Sequence, residues 1–333
     1  MRGVRLGVVA LGVAAVMGCS DALEQTTPVG QEIVILDGPA ALIKLVNAGT
    51  FSAPPSLLLP FPVSGAPQIA GRGSIILVPG GPRDSLQIIT LGGTPKVVPA
   101  VSAVGAAFQD DSVAWVADSA FDSLAQVNVQ TGQRLASRAL SGAPVAVAVL
   151  DSQVFALHKS WLSAVNLTGV AAPDSIPLSG VDAHFAVIGD DSLLYVVDRG
   201  DSGKANGRLS VVDPVGRTEV VVINGLGERP GPGVFHPTGR VLVASPDDGI
   251  LEVNALTRSV TRGPGNGIKP GGKGVLALSL DARGRVYAVS NTACGSGPGT
   301  LYILSPPPEY TLITTVPLGA CPVATTVAEM PTQ

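Results

Sequence analysis

This sequence predicts an all-β fold made of seven similar units, and three features carry the expectation. The first is composition. The chain has 41 glycines and 28 prolines among short runs of Val, Ile, Leu and Ala, and aromatics make up only 4%, which suits many short strands joined by turns. The second is a recurring four-residue apolar run that follows a turn of Gly, Asp or Ser and closes on one further residue, most often small or acidic. The third is the interval. The closing residues Asp37, Pro79, Asp118, His158, Asp198, Ser245 and Ser290 lie roughly 39–47 residues apart.

That period matches the blade of a β-propeller, four antiparallel strands in about 40–50 residues. The runs at 33–37, 75–79, 114–118, 154–158, 194–198, 241–245 and 286–290 read as the second strand of each blade. First strands precede them, as at 145–150 and 275–280. Tight turns separate the two, at 110–112, 151–152, 190–192, 237–239 and 281–284, where Asp, Ser and Gly favour sharp reversals. Third strands follow, as at 125–129 and 209–213. Fourth strands often end at a Gly-x-Pro step such as 65–67 or 142–144.

The two ends of the chain complete one another. The first unit starts directly with its second strand at Ile33, whereas residues 321–328 supply a spare first strand with no second. Pairing them makes a seven-bladed β-propeller of four-stranded antiparallel blades, closed by the C-terminal strand joining blade one. Closure also removes two exposed sheet edges, which otherwise invite aggregation. Residues 32–329 then form a single propeller domain. A pair of β-sandwiches would instead show strands every 8–12 residues and no forty-residue echo.

The blade motifs resemble the YVTN and NHL groups of propellers, whose blades read Asp-Gly-x-x-Val-Tyr-Val-Ala-Asp/Asn. Residues 281–291, Asp-Ala-Arg-Gly-Arg-Val-Tyr-Ala-Val-Ser-Asn, are the nearest copy. The resemblance implies a fold and not an activity, because such folds host many functions.

At the N-terminus, Arg2 and Arg5 precede an uncharged apolar run ending at Gly18. The run is too short for a spanning helix, which needs about 20 residues, and it has the layout of a secretory signal. Val16-Met17-Gly18-Cys19 resembles the bacterial lipobox. The resemblance implies residues 1–18 as a lipoprotein signal peptide, with Cys19 as the lipidated first residue of the mature chain. Two or more acyl chains there would anchor stably, where one binds only marginally. An ordinary signal peptide with a chance cysteine is the alternative. Under the sorting rule of such lipoproteins, Ser20 in place of Asp after the cysteine points to the outer membrane. Residues 19–31 are polar and read as a flexible tether.

Net charge is −4 with 14% charged residues, and removing Arg2 and Arg5 makes the mature chain more acidic. Nucleic acid is a poor partner for such a surface, because binding phosphates requires basic patches. Cys294 and Cys321 remain as an even pair in an exported chain, where disulfides persist. The topology puts both on one face of blade seven, where a bridge would pin the closing strand. Two cysteines without nearby histidines cannot complete a zinc shell.

The longest connections, at 199–207, 225–233, 263–274 and 291–299, all fall in blades five to seven and on one face. Loops on a rigid scaffold commonly carry binding, so a protein or small-molecule partner is expected there. The competing reading makes them Gly-rich spacers.

No catalytic, cofactor or metal residue stands out. Residues 267–273 fit most of a phosphate-binding loop, but Gly274 replaces the Ser or Thr that holds magnesium. Arg199-Gly200-Asp201 matches an adhesion tripeptide by composition alone. The Asp-Asp-Ser turns supply too few oxygens for calcium, and no Gly-x-Ser-x-Gly elbow supports a serine nucleophile. Of the three histidines, His158 shares a repeat column with Asp37, Asp118 and Asp198, while His184 lies in a first strand near Asp182 and the central channel. Two classes of function follow: a membrane-anchored, non-catalytic binding or scaffold module, and a periplasmic propeller enzyme of the lactonase or lyase type.

Overall fold

The structure is a computed structural model that describes residues 30–80, 85–99, 101–167, 172–291, 294 and 297–330. Within them lie seven four-stranded antiparallel sheets and one short 3-10 turn, Pro270–Gly272. No described helix is long and apolar enough to cross a membrane.

The expected second strands appear at Gln31–Asp37, Ile75–Pro79, Val113–Asp118, Gln153–Leu157, Leu194–Asp198, Arg240–Ser245 and Val286–Ser290. Ring closure also takes the expected form. The last strand, Pro322–Glu329, pairs antiparallel with Gln31–Asp37, from Gln31 opposite Glu329 to Asp37 opposite Pro322. The first strand begins at Gln31, so the last tether residue is already inside the sheet.

The core explains why the second strands read as unbroken apolar runs rather than alternating ones. It is a ring of seven layers, one between each pair of neighbouring blades. A second strand is therefore covered on both faces. Leu194 and Val196 pack toward blade four, whereas Tyr195 and Val197 pack toward blade six. Outer strands have no such cover. Gln133–Ala139 is mostly solvent-facing, and Leu57–Leu58 is only two residues long.

Inner strands crowd around the axis and are built from small residues. Gly105 shows why. The Gln68 side chain crosses over it to blade four, where its Nε2 donates to the Val147 carbonyl (2.8 Å) and its Oε1 accepts the Val147 N–H (3.0 Å). A Cβ on Gly105 would sit 2.7 Å from that oxygen.

The hairpins between first and second strands use aspartate as expected. Asp110 Oδ1 accepts the N–H groups of Ser112 and Val113, both at 2.8 Å, and Asp281 Oδ1 does the same for Arg283 and Arg285 at 2.9 Å. The hairpin also holds the aromatic of the second strand. Tyr195 donates to Asp191 (2.6 Å), Tyr287 to Asp281 (3.0 Å) and Trp115 to Gln109 (2.9 Å).

Candidate functional site

The repeat column that closes the second strands forms latches in blades one, three, four, five and seven. Pro79 has no side-chain polar group, whereas Ser245 Oγ accepts the N–H of Asp248 in the turn that follows it. Asp118 accepts the N–H of Ser102 (3.0 Å) and Asp198 accepts the N–H of Asp182 (3.0 Å). Ser290 donates to the Gly274 carbonyl (2.6 Å) and His158 bonds the Ala143 carbonyl (3.2 Å). In each case the partner lies in the segment that leads into the first strand of the same blade. These side chains are buried, and they fix the connections between blades on the long-loop face. The column is structural.

The latch also explains two glycines. At Gly180 and Gly319 the space of a Cβ is already taken by the Asp198 and Asp37 carboxylates.

The long connections are tied to one another rather than loosely spaced. Gly207 N–H donates to Gly227 and Leu226 N–H to Gly207, at 2.8 and 3.0 Å, joining the loop of blade five to the connection that follows it. Gly299 and Leu318 repeat the arrangement with Gly319 and Gly299 in blade seven, at 2.8 and 2.9 Å. Ile250 and Ile268 exchange two backbone hydrogen bonds, which seats residues 263–274 on blade six. Within residues 199–207, the Asp201 carboxylate is occupied by Lys204 and Asn206, both at 3.0 Å.

Cys294 and Cys321 meet as a disulfide pair, with Cα atoms 4.5 Å apart and a sequence separation of 27. Asn291 Nδ2 donates to the Ala320 carbonyl beside it (2.8 Å). The pair therefore joins blade seven to the start of the closing strand, on the face expected from the topology. Cys19 lies outside the described residues.

The central channel has a volume of about 470 Å³ and is walled by the inner strands, with Phe108, Phe185, Phe235 and Leu280 among its apolar lining. At its mouth on the long-loop face are two further cavities. One, about 450 Å³, opens toward blades two to five beside Ser102, Ser119 and His184. The other, about 360 Å³, lies on the side of blades five to seven and is lined by His184, Arg199, Glu228, Arg229 and Asp247. Ala66 and Pro232 border all three spaces. Each volume is in the range of small-molecule sites.

Charge at the mouth is distinctive. Among the described residues, no ion pair within 4.0 Å involves Arg199 or Arg229. Burial, then the Arg229 charge, pull the Arg199 guanidinium below the usual arginine range, with Asp182 opposing. Burial and then Arg199 hold the His184 imidazolium down to about 4, with Asp182 opposing and Arg229 adding. His184 is thus a neutral imidazole at pH 7. Arg229 has a φ of 48°, a left-handed backbone that strains a non-glycine residue by about 1 kcal/mol or more. In the same loop Gly225 and Gly227 hold φ of 95° and 73°, so glycine would be the relaxed choice at 229.

The other two histidines are structural. His158 bonds Ser163 (2.9 Å) and stacks on Trp161, centroids 4.4 Å apart. His236 bonds the Gly284 carbonyl (3.0 Å) across the hairpins of blades six and seven. Among the described residues no three His, Cys, Asp or Glu side chains converge as a metal-binding group. Residues 267–273 lie in the connection between blades six and seven, with Gly271 against Tyr302. No strand–loop–helix surrounds them.

Fold and site together define a seven-bladed β-propeller with a charged mouth on its long-loop face. No protein-family model matches the chain, and no curated protein matches it. Solved structures share its fold. A functionally unknown protein from Desulfotomaculum acetoxidans superposes with a TM-score of 0.67 at 13% identity, over 90% of this chain and 99% of that one. A Kuenenia stuttgartiensis hydrazine synthase chain gives 0.63 at 13% identity, over 79% of this chain and 90% of that one. Apo AztD from Citrobacter koseri gives 0.58 at 12% identity, over 90% of this chain and 97% of that one. At such identities the likeness establishes the fold alone.

Proposed function

We propose that this protein is an exported, lipid-anchored propeller of the bacterial envelope whose long-loop face is a non-catalytic binding module. One observation carries the reading. The connections 199–207, 225–232 and 263–276 of blades five to seven lie on one face with 59–69 between blades one and two, and each is hydrogen-bonded to the scaffold or to a neighbour. Ala66, Arg199 and Arg229 bring three of them to the channel mouth. The opposite face carries the tight hairpins, with residues 48–56 of blade one as a longer connection. A pre-formed, loop-built face on a rigid ring is suited to binding with little ordering cost.

The address comes from the sequence. Val16, Gly18 and Cys19 resemble a lipobox, Ser20 favours the outer membrane, and acylated Cys19 would hold the lipid bilayer. The tether to Gln31 spans at most about 40 Å when extended, which keeps blade one close to the membrane. Blades five to seven then remain free to meet a protein or small-molecule partner. The YVTN and NHL likeness of residues 281–291 fits an envelope propeller of this kind.

The lactonase or lyase alternative rests on His184, a neutral imidazole near Asp182 at the mouth. Co-isolation from envelope membranes with metal analysis tests the two. The binding reading expects a species that co-purifies with the wild-type chain and is lost when residues 199–207 are replaced by an Asn-Gly turn. A stoichiometric metal in the channel, with turnover of a lactone, would favour the enzyme.

A further inference from the structure

We infer that the channel mouth takes a small amphipathic anion, with its head on Arg199 and Arg229 and its apolar body in the channel below. This rests on the binding-module reading and names the ligand class of that site. Three independent features meet there. The first is shape: the 360 Å³ mouth cavity and the 470 Å³ channel share Ala66, Pro232 and Val323 in their walls and so are neighbouring spaces. The second is polarity. The channel wall sets Phe185, Phe235 and Leu280 beside the uncharged polar Gln68, Ser279 and Thr325, whereas the charged side chains, two arginines among them, stand at the mouth. The third is Arg229 itself, kept in a left-handed backbone where a glycine would relax the loop. Nine described non-glycine residues have a left-handed backbone, and of these Arg229 is the one that lines the channel or its mouth cavities, which makes its side chain a candidate for binding.

Carboxylates are also present and bear on the sign of the ligand. Glu228 and Asp247 line the same cavity, and Asp182 acts on both Arg199 and His184. At Arg199 the Arg229 charge outweighs Asp182, and at His184 the Arg199 charge outweighs it. The inner corner of the mouth is therefore locally positive. Arg forks bind carboxylate and phosphate oxygens alike, so the head group is either of these. Neutral His184 adds one donor or acceptor without a charge.

The full chain carries three histidines, so the His184 imidazole can be followed by NMR and assigned with a His184→Asn variant. The probes are octanoate, octyl phosphate, octanol and octylamine. Octanoate or octyl phosphate should shift the His184 signal saturably, and octanol should bind about ten-fold or more weakly, since charge-assisted hydrogen bonds are the strong ones. Arg229→Gly should keep the unfolding midpoint, or raise it, while weakening octanoate by about ten-fold or more. Arg199→Gln should weaken it likewise. The inference is overturned by equal binding of octanol and octanoate, by a stronger response to octylamine, or by no response from the folded chain. Undiminished octanoate binding in both arginine variants also overturns it. Loss of the octanoate response with co-isolation intact removes this inference alone, whereas loss of loop-dependent co-isolation removes the binding module.

Discussion

The Asp37 carboxylate accepts the backbone N–H of Cys321 at 3.3 Å, across 284 residues of chain. It is the same latch that Asp118 and Asp198 make inside their own blades, completed here between the two ends of the propeller. Cys321 also faces Cys294, so hydrogen bond and disulfide act on one junction. Replacing both cysteines by serine should lower stability by about 3 kcal/mol, the scale for a loop of this length, with the fold retained. Urea unfolding would show it as a lower stability with an m-value that is equal or larger, because the unbridged unfolded chain exposes more surface; an unchanged stability would mean that the bridge adds nothing to closure.

Gly180 and Asp198 form a second testable pair. The Asp198 carboxylate accepts the N–H of Asp182 at 3.0 Å and of Gly200 at 2.7 Å, and it fills the space of a Gly180 Cβ. Asp198→Ala should cost about 1–3 kcal/mol by leaving buried N–H groups unpaired. Gly180→Ala should be damaging in the wild type and much less so beside Asp198→Ala. A double-mutant cycle reads the coupling, and additive effects would refute the shared space.

Stability should rise with pH between about 4 and 6.5. Burial is the leading cause that lowers all three histidines, His184 to about 4. The charges that act on them are Asp122 at His158, Arg199, Asp182 and Arg229 at His184, and Arg240, Glu252 and Asp190 at His236. Unfolded histidines take up a proton near 6.5, so in this window the unfolded chain binds more protons and gains as pH falls. Urea midpoints at about pH 7 and pH 5 should therefore differ, with the lower value at pH 5. A His184→Gln variant should reduce the difference.

Cys19→Ser should release the protein from membranes into the soluble exported fraction, with its propeller still folded, because acyl chains supply the anchor. Fractionation with palmitate labelling checks this. A variant that stays on the membrane, or a wild-type chain without label, would contradict the anchor.

The sequence makes the second strands legible because both of their faces are buried, so Leu194, Tyr195, Val196 and Val197 all read apolar. Outer strands such as Gln133–Ala139 face solvent and leave only a weak pattern. Ring closure is legible from the unmatched strands at the two ends. The mouth is not. Antiparallel pairing of the first two strands of blade five sets Arg199 beside His184, and the connection that leaves the same blade adds Arg229. Arg199 stands out in the sequence merely as part of Arg-Gly-Asp, and Arg229 is hidden among glycines and prolines. The closing column of Asp, His and Ser is visible as a repeat, yet its role as a latch needs the partner atoms.

Site-specific photo-crosslinking in intact envelopes tests the central claim most directly. One crosslinking residue would replace Ser202, exposed on the long-loop face, and another Leu256, 90% exposed on a turn of the opposite face. The account predicts discrete adducts from position 202 and none from position 256. Adducts from position 256 alone, or from neither, would contradict a binding face on blades five to seven.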